Sequence, residues 1–154
     1  MKRSIVALTF CALAACETAP ATTQMSDAMG PTGNFATDLN AFRAAQGRGA
    51  VVPDPKLQQA ARRHAEDMQA RGYFSHQSPG GPHGNTMTER MAASGCQPGA
   101  SAENIAQGQT SEAAVFAAWQ NSTGHRRNML GARYTEYGLG RSGNTWVLLF
   151  SSDC

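Results

Sequence analysis

Four histidines, four cysteines and eleven acidic residues set the chemistry open to this 154-residue chain: metal ligation, proton transfer and, for a free thiol, nucleophilic attack. His64 falls on the apolar face traced by Leu57, Ala61 and Met68, and reads as a packing histidine with its ring nitrogens satisfied inside the protein. His76 and His83 lie between Tyr73 and Asn85, a glycine- and proline-rich run that reads as an ordered loop, where function often resides. Within it, His83 reads as solvent-exposed. His125 follows a turn at Ser122 to Gly124 and opens a helical stretch to Leu130. No His-Glu-x-x-His helix gathers these rings into a local zinc site, and no Gly-x-Ser-x-Gly elbow supplies a serine nucleophile. The glycine-rich stretches lack a following Lys-Ser or Lys-Thr, which argues against a phosphate loop and a nucleotide-driven enzyme.

The cysteines divide by position. Lys2 and Arg3 precede an apolar run, Ile5 to Ala15, of signal-peptide length and too short to span a bilayer. The run ends in Leu13-Ala14-Ala15-Cys16, which resembles the lipobox of bacterial lipoproteins, whose cysteine is acylated and becomes the new N-terminus. On that reading residues 1–15 are a lipoprotein signal peptide, Cys16 is the lipidation site, and the mature protein is lipid-anchored to a bacterial membrane at the cell envelope. The alternative is an ordinary secretory signal cut after Ala19-Pro20-Ala21, which yields a secreted or periplasmic protein. Cys11 falls inside the signal on the first reading. Cys96 and Cys154 then remain as an even pair in an oxidising compartment, which favours a disulfide tying the chain end to its middle. The competing use, two free thiols with a metal or catalytic task, lacks the short Cys-x-x-Cys spacing.

Removing the signal takes Lys2 and Arg3 from the 13 basic residues and leaves as many basic as acidic groups. A formally neutral chain has no broad basic field, so nucleic acid is not an expected partner. With 41% hydrophobic and 16% charged residues there is material for one modest core and one domain. Residues 16–33, rich in Thr, Ala, Pro and Ser, read as a flexible tether, and 34–154 as the domain. Asn34 can cap a helix carrying Phe35, Leu39 and Phe42 until Gly47; Val51-Val52-Pro53 reads as a short loop. Asp54 and Pro55 start a second helix that Gly72 stops, and Thr86 with Glu89 forms a capping-box pattern for a short third. Ser101 to Ala106 reads as a strand, and Ser111 caps a helix with Val115 and Trp119. Tyr137 to Arg141 and Thr145 to Ser151 flank Ser142-Gly143-Asn144 as a closing β-hairpin. Phe116, Trp119 and Trp146 read as core or cleft wall. The order of elements predicts an α+β layered fold.

Several of these segments, in order, resemble bacterial members of the CAP superfamily, the cysteine-rich secretory, antigen 5 and pathogenesis-related proteins. The likeness covers about residues 36 to 151. It rests on Leu39-Asn40-Ala41-Phe42-Arg43, on Leu57 with Ala61, His64 and Ala65, on Phe74-Ser75-His76 and on Ala102-Glu103-Asn104-Ile105. It continues through Trp119 into Gly124-His125-Arg126-Arg127-Asn128-Met129-Leu130 and Thr135-Glu136-Tyr137-Gly138-Leu139-Gly140. The resemblance implies an α/β/α sandwich, with helices on both faces of a small antiparallel sheet, and a cleft lined by two histidines and acidic residues. In many relatives that cleft can hold a divalent metal such as zinc. The matching positions here are His76, Glu103 and His125; the family's frequent second glutamate, three residues after the tryptophan, is Ser122 in this chain. Glu136 is a further acidic candidate for the cleft.

Two imidazoles and a carboxylate suit the first shell of Zn2+ or another divalent cation and can leave a position for water. The structural alternative makes His76 and His125 buried hydrogen-bonding residues that pin loops to the sheet, with Glu103 accepting from one ring. Ser101 and Asn104 flank Glu103 and can orient it or cap backbone groups at the strand end. One of Arg126 and Arg127 is expected to pair with an acid. Two functions follow from the resemblance. The first is an envelope binding module that takes a lipid-like small molecule or an envelope protein beside the His/Glu cleft. The second is a metal-dependent, peptidase-like hydrolase with His76, His125 and Glu103 as ligands or acid/base groups.

Overall fold

Four helices among the described residues begin where a side chain supplies an acceptor to a backbone N–H of the first turn. Asn34 accepts from the Thr37 amide ahead of α1 (Phe35–Ala45), and Asp54 accepts from Leu57 ahead of α2 (Pro55–Arg71). Thr86 and Glu89 form the full capping box of α3 (Met87–Ala92), and Ser111 caps α4 (Glu112–Asn121). Gly72 ends α2 in the left-handed region, at φ +67°, where a side chain would be strained. Ser122 both ends α4 and starts α5 (Thr123–Met129), so His125 stands in the first turn of a helix that begins slightly earlier than its sequence indicates. The computed structural model describes residues 33–154. The expected signal peptide, Cys16 and the expected tether up to residue 32 lie outside the described residues.

The described residues form one sheet of four strands, β1 (Val52–Pro53), β2 (Ser101–Gln107), β3 (Glu136–Ser142) and β4 (Thr145–Ser151), ordered β1-β3-β4-β2. β3 and β4 form the expected hairpin, turning at Gly143 with φ +57°, and β2 pairs antiparallel to the other side of β4. The Val51 to Pro53 segment is more than the loop its sequence indicates. The Val52 N–H reaches the Thr135 carbonyl and the Asp54 N–H reaches that of Tyr137, which makes β1 a two-residue strand parallel to β3. Pro53 is tolerated there because it sits at the sheet edge, where a missing donor is least costly.

Side-chain alternation on β4 builds both core layers. Trp146, Leu148 and Phe150 pack with Phe35, Leu39, Phe116 and Trp119 from α1 and α4, and with Met129 from α5. Val147 and Leu149 point the other way, against Leu57, Ala61, Ala65 and Met68 of α2 and Met91 of α3. Every β4 residue is buried, as a strand covered on both faces should be. The result is an α+β fold with the expected α/β/α layering, in which only the β1 edge departs from antiparallel pairing. Gly138 and Gly140 let α2 lie directly on β3: a Cβ at either would run into the α2 backbone at Leu57 and Gln58, or at Ala61 and Arg62. A disulfide joins Cys96 to Cys154 across a separation of 58 residues, with their Cα atoms 4.7 Å apart.

Candidate functional site at the β2 edge

β2 is an edge strand, and two adjacent residues on it face opposite layers. Glu103 shares its face with Ile105 and looks toward α2 and α3; Asn104 lies between Ala102 and Ala106 on the face toward α4 and α5. Each holds one predicted histidine, by different means.

On the α2 side, His76 Nδ1 donates to Glu103 Oε1 at 2.8 Å, and Arg90 Nη2 donates to Glu103 Oε2 at 2.8 Å. The Glu103 and Arg90 side chains are each 3% exposed, whereas the His76 ring is 53% exposed. The bond to Glu103 raises the His76 pKa above its ordinary value despite partial desolvation and the nearby Arg90 charge. This is the carboxylate-to-imidazole pattern that fixes a tautomer and leaves Nε2 available.

His64 stands behind this pair, fully buried as expected. Its Nε2 donates to the Ser75 carbonyl at 3.1 Å and its Nδ1 accepts from the Ser78 hydroxyl at 3.0 Å. Burial pushes its pKa down to about 4, so the ring is neutral near pH 7. Arg90 also donates to Ser78 Oγ at 3.1 Å and to the His76 carbonyl at 3.1 Å. His64 and Arg90 together therefore pin the loop that carries His76. His83, expected at the surface, is half-buried in that loop.

On the opposite side, Asn104 Nδ2 donates to the His125 carbonyl at 3.1 Å, and Asn128 Nδ2 donates to Asn104 Oδ1 at 2.8 Å and to the Glu103 carbonyl at 3.2 Å. Asn104 thus secures α5 to the strand and does not orient Glu103. The pKa of the His125 ring lies below the ordinary value, first from desolvation and then from the positive charge of the neighbouring His76. The His76 charge is thus felt at the His125 ring, although the two are carried by elements on opposite faces of the strand.

Not every expected residue joins them. Glu136 opens β3, opposite Ser151, and β4 lies between β3 and β2. Two strand spacings, about 10 Å, separate it from the β2 row, so its predicted place in the cleft is not borne out. Arg126 stacks on Phe42 and donates to Gln46, not to an acid. The residues that sequence reasoning missed are Arg90, Ser78 and Asn128. A lone arginine in a six-residue helix reads as solvated, and nothing local marks its burial.

Glu103 already accepts one hydrogen bond on each oxygen, from His76 and from Arg90. No three or more His, Cys, Asp or Glu side chains are grouped to hold a metal among the described residues.

Sequence and fold comparisons agree on the class. A family model described as "CAP: Cysteine-rich secretory protein family" matches residues 37–150, and the chain belongs to that family. It is 38% identical over 113 residues to the uncharacterized protein YkwD of Bacillus subtilis (strain 168), covering 72% of this chain and 43% of the relative. It is 32% identical over 101 residues to the uncharacterized membrane protein YlbC of the same organism, covering 66% of this chain and 28% of the relative. The chain therefore spans less than half the length of either relative. Among solved structures, an extracellular protein containing an SCP domain from Bacillus anthracis str. Ames superposes with a TM-score of 0.72 at 27% identity, over 76% of this chain and 38% of that one. An outer surface protein from Borrelia burgdorferi shares the fold, with a TM-score of 0.66 at 19% identity, over 77% of this chain and 90% of that one.

Proposed function

We propose that this chain is an exported CAP-domain binding module, anchored through Cys16, which receives an acidic group of a lipid-like envelope molecule at the His76 and His125 rings. The observation that carries the reading is the pair of hydrogen bonds to Glu103, one on each oxygen. With one oxygen on Arg90 and the other on His76, it acts as an orienter and leaves His76 Nε2 on an exposed ring. Protonated His76, Glu103 and Arg90 together hold two positive charges and one negative, so the surface they present attracts an anion. An extracellular setting is supported by the names of the Bacillus anthracis and Borrelia proteins and by the disulfide. No helix among the described residues is long and apolar enough to cross a membrane, and the proposed attachment is the acyl group on Cys16.

The test uses the chain with Cys16→Ser, so that no acyl group confounds the readout, mixed with vesicles of phosphatidylglycerol or of phosphatidylcholine. Binding is expected only to the anionic vesicles, stronger at pH 5.5 than at 8.5, and lost in His76→Ala. Binding indifferent to pH and to His76 would sink the proposal. Equilibrium dialysis against zinc decides the rival: one ion per chain, lost in both His76→Ala and His125→Ala, would support the metal-dependent hydrolase instead.

A further inference from the structure

The sheet has a second edge, and it is only partly closed. β1 pairs with Glu136 and Tyr137 alone, so from Leu139 onward no strand lies beside β3 among the described residues. Backbone direction there follows from the ladder. Gly108 N–H reaches the Asn144 carbonyl and Ser152 N–H reaches that of Ala100, so even-numbered β4 residues turn their backbone groups to β2. Odd-numbered β4 residues then face β3, where their partners are Gly138 and Gly140. On the outer side, Thr135 and Tyr137 accept from β1. By alternation, the N–H and C=O groups of Leu139 and Arg141 point outward as well.

Two grooves meet at this edge, one on each face of the sheet. The groove toward α2 holds about 430 Å³ and is lined by Gln58, Gln59 and Arg62 with residues 139–141. The groove toward α1 and α4 holds about 330 Å³ and is lined by Phe35, Ala36, Tyr137 and Glu112, with Leu139 and Gln58 common to both. Successive side chains of an extended peptide point to opposite faces, so one strand laid along β3 would fill both grooves alternately. The lining sets what each would take. Arg62 keeps donors beyond the one paired with Glu66, and the two glutamines add amide donors, which suits an acidic side chain. Phe35, Ala36, Tyr137 and Leu139 suit an apolar one.

We propose that the outer edge of β3 at Leu139 to Arg141 is a strand-addition site for an extended segment of a partner protein, carrying an acidic residue toward α2 and an apolar neighbour toward α1. Backbone hydrogen bonds would supply the attachment and the two grooves the selectivity.

The probe is a capped synthetic heptapeptide alternating glutamate and valine, titrated into the 15N-labelled full chain. Expected are amide shifts centred on Leu139 and Arg141, with slowed hydrogen exchange at those two positions. N-methylation of the peptide amides that face β3 should weaken binding about tenfold, the cost of losing two backbone hydrogen bonds. Arg62→Glu should weaken it about threefold, as for an exposed charge pair. The proposal is overturned if no shift develops at millimolar peptide, or if N-methylation leaves affinity unchanged. It is equally overturned if Leu139 and Arg141 are protected before peptide is added, which would place the chain's own N-terminal segment there. The same holds if the shifts follow protein concentration alone, which would place a second copy there.

Discussion

At the scale of single residues, Glu103 decides what the site can do. It is buried with one anion's charge divided between a buried cation and an exposed ring, and removing that charge has two consequences. Glu103→Gln should lower the His76 pKa, measurable by NMR titration, because the leading cause of its elevation is the bond to that carboxylate. The same change leaves Arg90 buried without an anion and should cost about 3 to 5 kcal/mol in urea unfolding. His64 gives a separate pH signature. Its folded pKa of about 4 lies below the unfolded 6.5, so the unfolded chain binds the extra proton between those values. The stability this contributes is complete above pH 6.5 and is lost as pH falls toward 4, by about 3 kcal/mol. His64→Gln should remove that part of the pH dependence. His76 acts in the opposite sense: its contribution is present below pH 6.5 and fades as pH rises through its elevated value.

At the scale of elements, what was legible in the sequence was what is locally encoded. Asn34, Asp54 with Pro55, Thr86 with Glu89, and Ser111 each announce a helix within four residues of themselves, and each cap is present. The hairpin was legible from Gly143 and the alternation around it. β1 was not, because two residues carry no period and their partners lie more than eighty positions away. Strand order was hidden in the same way: only pairing shows that β4 stands between β2 and β3, which removes Glu136 from the site. Of the candidate site, His76, Glu103 and His125 were named by resemblance, while Arg90 and Asn128 act through burial and distant contacts that no neighbouring residue signals. Gly138 and Gly140 gain a physical reason from the fold. Gly140→Ala would force α2 off β3, and overpacking of this kind costs about 1 to 3 kcal/mol. A lower urea midpoint at unchanged slope is the expected result; an unaltered midpoint would mean that α2 does not rest on the glycines.

For the whole molecule, the design is one sheet holding two helical layers in register, with the chain end tied down. The Cys96–Cys154 bond closes a 58-residue span, for which chain entropy predicts a stabilisation of about 4 kcal/mol. Reduction, or Cys96→Ser with Cys154→Ser, should lower stability by that order, and mass spectrometry without reductant should find the two cysteines linked. The same layering ties His76, from the loop after α2, and His125, from α5, to adjacent residues of β2. The effect of the His76 charge on His125 tests this convergence most directly, because it acts between the two rings themselves. The decisive measurement is the NMR titration of the His125 ring in the wild-type protein and in His76→Ala. His125 is predicted to titrate below 6.5 in the wild type and to rise when the His76 charge is removed, while His64 stays near 4. An identical His125 titration in both proteins would contradict the meeting of the two layers at the strand edge.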